Sequence, residues 1–249
     1  MTVGKHPRLE RVHPPAGRVV LAALLLIGCT GLGAAPVTDS SQLPDAALST
    51  LRALFPGAEI LAEVGAVGDL NGDGIPDVAV PIAPRKASTA DTEQDPVRVV
   101  ILIGQRNGGY RQFMTSPDFA VDGSALGLHI ERQRLTIELI GERGAPTRMK
   151  SSYEFAVRSG ELMLTGEVQA SVKVYDHAEI PEMGSRFDYL AGRVTYWRTQ
   201  NGRTARVVRR LPRIAPEPLR TFDVEEHYLK LYNLASRYID DNGVLRSVR

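Results

Sequence analysis

The sequence predicts a mainly β domain, antiparallel and hairpin-rich with the character of a sandwich, flanked by a short N-terminal and a longer C-terminal helix. Two observations carry this expectation. From Gly57 onward the apolar residues recur with a period near two for about 150 residues, the period of strands whose side chains alternate between two faces. Clusters of Gly, Asn and Ser break that run at intervals that suit hairpins. Composition agrees with one folded unit over 44–249: in 249 residues, 43% hydrophobic and 24% charged, there is material for one sizeable core.

The N-terminus stands apart from that unit. A basic stretch through Arg18, an apolar run over 19–27 and small residues behind it have the three parts of an export signal, 1–28. The run falls short of the about 20 residues that a bilayer span needs, and Gly28, Gly31 and Gly33 interrupt its continuation. Leu26-Ile27-Gly28-Cys29 resembles the lipobox of bacterial lipoproteins, in which small residues precede a cysteine whose sulfur takes a diacylglyceryl group. Cys29 is the single cysteine of the chain, so no disulfide is expected. The resemblance implies lipidation at Cys29 and a place in the cell envelope, anchored to the membrane and facing the periplasm or the surface. The alternative is cleavage further on, for instance after Gly33, and a soluble periplasmic or secreted product. Residues 29–43, small and polar, read as a tether. Without the signal, basic residues fall from 30 to 26 and acidic ones from 29 to 28, a net charge of about −2 that argues against a polyanion-binding protein as a whole.

Along the domain, Pro44 suits a first helical turn, and Ala47, Leu48, Leu51, Leu54 and Phe55 recur at helical spacing before Pro56-Gly57. Strands are expected over 60–68, 77–82, 97–103 and 110–115, the third so continuously Val, Ile and Leu that both of its faces should be covered. Residues 87–96, rich in Ser, Thr, Asp and Glu, read as a loop. Hairpins follow: Leu128 and Ile130 against Leu135, Ile137 and Leu139; Tyr153, Phe155 and Val157 turning at Ser159-Gly160 into 162–165; and Val194 and Tyr196 turning at Asn201-Gly202 toward Val207 and Val208. Val168, Ala170, Val172 and Val174 alternate with Glu167, Gln169, Ser171 and Lys173, which places the polar set on a wet face. Val224, Tyr228, Leu231, Leu234, Ala235 and Tyr238 share a helical stripe that ends before Asp241-Asn242-Gly243.

One segment carries readable chemistry. In Asp69-Leu70-Asn71-Gly72-Asp73-Gly74-Ile75-Pro76-Asp77 the oxygen-bearing side chains fall at loop positions one, three, five and nine, with a backbone carbonyl near Ile75 as a further donor. That spacing suits a hard cation such as Ca2+, which takes six to eight oxygens, and Gly74 supplies a backbone turn that a side chain would hinder. Position twelve is Val80, so the helix-loop-helix calcium hand is excluded. The same residues are ordinary turn formers, and a metal-free Asx turn is the competing reading. The loop, followed by "DVAV" and "VRVVILIGQRNGGYRQF", resembles an FG-GAP or VCBS repeat, as in integrin-alpha-like calcium loops, over about 58–115. The resemblance implies structural Ca2+ held by Asp69, Asn71, Asp73, Ile75 and Asp77. Further copies of the loop are missing from the sequence, so a full propeller is not expected. Residues 126–213, with "YEFAVRSGELMLTG", are similar to the second half of bacterial envelope proteins in which one such loop opens a small β domain; that likeness carries no activity.

No catalytic set stands out. His129, His177 and His227 are far apart and read as partly exposed structural residues, and Gly123-Ser124 lacks the flanks of a hydrolase elbow. Arg193, Arg198, Arg203, Arg206, Arg209, Arg210 and Arg213 make a basic stretch suited to anionic lipid, an acidic partner or the protection of a sheet edge. With only Tyr196 and Trp197 nearby, nucleic acid is not an expected partner. The function expected is a non-enzymatic calcium-binding envelope lipoprotein that contacts another envelope protein or a glycan. Two alternatives remain: an envelope hydrolase using His129, His177 and acids near Asp122, and an assembly component docking through the 193–213 hairpin.

Overall fold

The computed structural model describes residues 43–84, 96–119, 125–141, 147–175, 178–212, 214–235, 237–240 and 243–247. The expected export signal, Cys29, the expected tether up to residue 42, residues 87–95 of the expected loop, Asp122, Gly123, Ser124, His177 and Arg213 lie outside them.

Helix α1 (Asp45–Leu54) starts behind Pro44 at its N-cap and buries Ala47 and Leu51. The chain then builds a first antiparallel sheet from β1 (Ala58–Ile60), β2 (Ala66–Gly68), β3 (Asp77–Pro84), β4 (Arg98–Gly104) and β5 (Tyr110–Thr115). Its order is β1-β3-β4-β5, with β2 pairing beside β1 along the same edge of β3. The expected strand over 60–68 is therefore broken, by a 3-10 turn at Ala62–Val64. The cause is Pro81. Its carbonyl accepts the Leu61 N–H at 3.0 Å, so the N–H it lacks would have pointed at the same edge, and the ladder opens there.

The second sheet is a seven-stranded meander of β6 (Ala125–Glu131), β7 (Arg134–Ile140), β8 (Thr147–Arg158), β9 (Glu161–Tyr175), β10 (Ala178–Asp188), β11 (Arg193–Gln200) and β12 (Arg203–Arg210), paired in chain order. Three of its turns are two-residue turns at positive φ: Arg132-Gln133, Ser159-Gly160 and Asn201-Gly202. Such turns match the right-handed twist of the strands they join. Strand β10 is the one the alternation test misses, because a register shift between Pro181 and Met183 breaks its period of two.

Helix α2 (Val224–Ala235) begins behind Asp223, whose carboxylate accepts the Glu226 N–H at 2.8 Å. It ends three residues before Tyr238, not beyond it: β13 (Arg237–Ile239) pairs with β14 (Leu245–Ser247), so the Asp241-Asn242-Gly243 signal lies between two short strands. No described helix is long and apolar enough to cross a membrane.

Three apolar clusters stack these parts. Leu43, Ala47 and Leu51 cover one face of the first sheet at Val78, Val80, Ile82, Val100 and Leu102. Its other face, with Ala79, Val99 and Ile101, packs on Ile130, Leu135, Ile137, Tyr153, Phe155 and Leu164 of the second sheet. Strand β4 is thus buried on both faces, as its continuous apolar run requires. The β10–β11 end of the second sheet, at Phe187, Val194 and Tyr196, is covered instead by Leu231 of α2 and Ile239 of β13. Among the described residues this is a mainly β, sandwich-like architecture with no closed barrel or propeller.

Phe155 lies fully buried between the sheets against Phe222. Phe155→Ala is expected to lower the unfolding free energy in urea by about 3–5 kcal/mol, whereas Leu54→Ala on the exposed side of α1 should change it by less than about 1 kcal/mol.

Candidate functional site

The loop between β2 and β3 is held from inside at two points. Leu70 puts its side chain into the core between the sheets. Asp77, fully buried at the first position of β3, accepts the Leu70 N–H through Oδ2 at 2.8 Å and the Gly104 N–H through Oδ1 at 2.9 Å. One carboxylate therefore ties both ends of the loop to the end of β4. Gly104 is the residue that permits this, because a Cβ there would stand 2.4 Å from the Pro76 carbonyl oxygen. Burial pushes the Asp77 carboxyl above the ordinary aspartate value, against the pull of the Gly104, Leu70 and Asn71 N–H groups, and the Asp73 charge adds to the rise.

Around those anchors the donor oxygens are already ordered, with Asn71 and Asp73 exposed and Asp69 half-buried. Asp69 accepts the Gly72 N–H at 2.7 Å and the Gly74 N–H at 2.9 Å, one on each carboxylate oxygen. Asn71 Oδ1 accepts the Asp73 N–H at 2.9 Å, and Asp73 Oδ1 accepts the Ile75 N–H at 2.8 Å. This is a nested set of Asx turns. Gly74 lies at φ +79°, the left-handed conformation expected of it. The oxygens are hard donors, and each keeps a second lone pair beside its N–H bond, so the donor chemistry fits a calcium ion. They are not gathered on one point: among the described residues, no group of three or more His, Cys, Asp or Glu side chains is placed to hold a metal.

A second constellation was not legible in the sequence. Cross-strand pairing aligns Leu128, Ile137, Tyr153, Glu167, Phe187 and Val194 in one row on the covered face of the second sheet. Glu167 thus occupies a core position, 0% exposed, and not the wet face that the alternation assigns it. The inversion arises at the register shift that opposes Phe155 to Leu164 but Glu154 to Gly166, leaving Thr165 unpaired. An extra residue there brings Glu167 into the inward row, while further along β9 Ala170 and Val172 are buried as the alternation expects.

Three donors meet the Glu167 carboxylate. Gln169 Nε2 donates to Oε1, while the Tyr189 hydroxyl and His227 Nε2 each lie 2.8 Å from Oε2. His227 faces a second carboxylate through Nδ1, 3.1 Å from Glu217 Oε1, and Lys230 Nζ lies 3.4 Å from that same oxygen. Side-chain exposure rises along this chain from 0% at Glu167 through 1% at His227 and 17% at Glu217 to 53% at Lys230. Only an imidazolium can donate to both carboxylates at once. Burial works against that charged form, but the hydrogen bonds and charges of Glu167 and Glu217 outweigh it, and the His227 pKa lies above its ordinary value. Burial, helped by the Glu167 charge, likewise holds the Tyr189 and Tyr153 hydroxyls protonated far beyond the usual tyrosine range.

The cluster corrects the expectation of three partly exposed histidines. His129 is exposed and stands 3.5 Å from Glu138, but His227 is sealed among Phe222, Tyr153 and Tyr189. A histidine and two carboxylates do come together, yet not the ones an envelope hydrolase was expected to use, and at such burial Glu167 and His227 have no surface to offer a substrate. Their role is to clamp α2 and the 214–218 segment onto β9 and the end of β10. The sign of the linkage follows from the raised histidine value: the native state binds the extra proton, so the stabilisation is complete below the unfolded value near 6.5 and is lost as pH rises through the folded one. Urea midpoints measured from pH 6 to 9 should fall across this window. Glu167→Ala should flatten the profile and cost about 3–5 kcal/mol at pH 6, because it strands a buried charge.

Residues 62–91 match the family model of the FG-GAP repeat, a segment that contains the whole loop, β2 and β3. Neither the curated proteins nor the solved structures compared contain a match to the chain. The chain thus carries a single segment similar to an FG-GAP repeat, embedded in a two-sheet domain and not in a ring of blades.

Proposed function

We propose that the chain is a non-enzymatic, calcium-binding interaction protein of the cell envelope, exported and lipid-anchored through Cys29, in which the ion has a structural role. The observation that carries the calcium reading is the loop over 69–77. Its backbone is fixed at Leu70 and Asp77, while Asn71 and Asp73 stand toward solvent and Asp69 is half-buried beside them, each with spare lone pairs. Asp69, Asn71, Asp73 and the Ile75 carbonyl, with Asp77 behind them, would hold the ion. Bound calcium would supply positive charge beside the Asp69, Asp73 and Asp77 carboxylates and fix the connection between β2 and β3. The Asx-turn hydrogen bonds already order the loop backbone, and the oxygens that accept them keep further lone pairs for the ion.

The anchor reading rests on the apolar run over 19–27 and the position of the lone Cys29 directly behind it. Acyl chains contribute about 0.8 kcal/mol per buried methylene, so a multiply acylated cysteine gives durable attachment. The binding role, toward another envelope protein or a glycan, rests on the FG-GAP likeness and on the site chemistry: the histidine–carboxylate cluster is sealed inside, and the loop holds oxygens without a general base such as histidine beside them.

Thermal unfolding with millimolar calcium and with chelator tests the loop. Calcium is expected to raise the melting temperature of the native chain, by an amount that grows with the ratio of free ion to Kd, and Asp73→Ala should lose that rise. An identical melting temperature in both conditions would reduce the loop to an Asx turn. Lipidation is checked by the mass of the exported protein, which Cys29→Ala should lower to that of the unacylated chain.

A further inference from the structure

We propose that the free edge of β12 is a docking strand, on which an extended acidic segment of a partner protein adds to the second sheet. This deepens the interaction reading above by naming the surface and the chemistry of the partner. The first observation is the open edge. Among the described residues β12 is the last strand of the sheet and pairs along its length with β11 alone, and seven of its eight residues are exposed. The outward N–H and C=O groups of such a strand are a template for another strand.

The second observation is where its charges point. Arg203 and Arg209 lie opposite Gln200 and Val194 on one face, and Arg206 and Arg210 lie opposite Trp197 and Arg193 on the other. A strand laid along the edge meets all four, whereas a flat lipid surface against either face meets two. The third is that these four have no carboxylate partner among the described residues, while Arg134, Lys150, Arg186, Arg193 and Lys230 each hold a carboxylate. Arg210 even stands directly across from Arg193, an arrangement that costs stability unless something uses it.

The charge also decides which strand is accepted. A second copy of β12 brings arginine against arginine and is repelled, so the edge does not template self-association. A segment with acids on both faces gains cross-strand ion pairs in addition to backbone hydrogen bonds.

The test is a titration of the isotopically labelled full chain, followed by amide chemical shifts. The probe is a ten-residue peptide of Glu, Val and Thr with glutamates on both faces. A control peptide of the same sequence is N-methylated at alternate residues, which keeps its charge but removes donors. Vesicles containing phosphatidylglycerol form a third arm. The expected result is saturable binding with shifts concentrated in β12. It should weaken at least tenfold for the N-methylated peptide and for the Arg206→Glu/Arg210→Glu protein, whose melting temperature should match that of the native chain. Equal binding of the two peptides, unchanged binding by the variant, vesicle binding without peptide binding, or no binding at all would each overturn the proposal. Melting temperatures of the same samples with and without calcium report the loop separately, so failure of the edge and failure of the calcium reading are distinguishable.

Discussion

A carboxylate withdrawn from water must find hydrogen-bond donors, and this protein buries one in each sheet. Asp77 opens β3 at the end of the first sheet, and Glu167 stands mid-row in the second. Each satisfies itself with groups from segments that the sheets alone would not hold. Asp77 gathers the Leu70 and Gly104 N–H groups and so closes the loop over 69–77 onto β4. Glu167 gathers His227 and Tyr189 and so fixes α2 and the chain beyond β10. An unpaired charge at either position would cost several kcal/mol, which makes these connections obligatory parts of the fold and not decorations of it.

The two carboxylates differ in what they leave available. The Glu167 network consumes its own polarity: Glu167, His227 and Glu217 saturate one another, and what reaches solvent is the Lys230 ammonium. The Asp77 network is spent only at its base. Beyond it the loop presents Asp69, Asn71 and Asp73 on a backbone that is already ordered, which is why the function is proposed there. Preorganisation of this kind lowers the entropy that a ligand must remove on binding.

Much of the fold was legible in the sequence because the period of two is a local property. The unbroken apolar run of β4 announced burial on both faces, Asn201-Gly202 and Ser159-Gly160 announced their hairpins, and the 110–115 strand has the bounds its alternation gives. What was not legible depends on single-residue faults in that period. The extra residue at Thr165 sends Glu167 inward, the shift at Pro181 hides β10, and Pro81 opens the edge where β1 and β2 part. The oxygen-bearing side chains of the loop and their aptitude for Asx turns were readable from residue type and spacing, but not the burial of Asp77. The His227 cluster joins residues 60 positions apart, and no local pattern marks such a meeting. Tyr238 misled for a related reason, since a helical stripe does not show where a helix stops and a short hairpin begins.

The Asp77 carboxylate sets the loop backbone independently of any ion, leaving only the outer donors to respond. Amide hydrogen exchange at Leu70, Gly72, Gly74 and Gly104, with and without calcium, tests this directly. The account predicts strong protection at Leu70 and Gly104 in both conditions, with calcium adding protection at Gly72 and Gly74 alone. Rapid exchange at Leu70 and Gly104 in chelator would contradict it, since the loop would then owe its shape to the metal and not to the buried carboxylate.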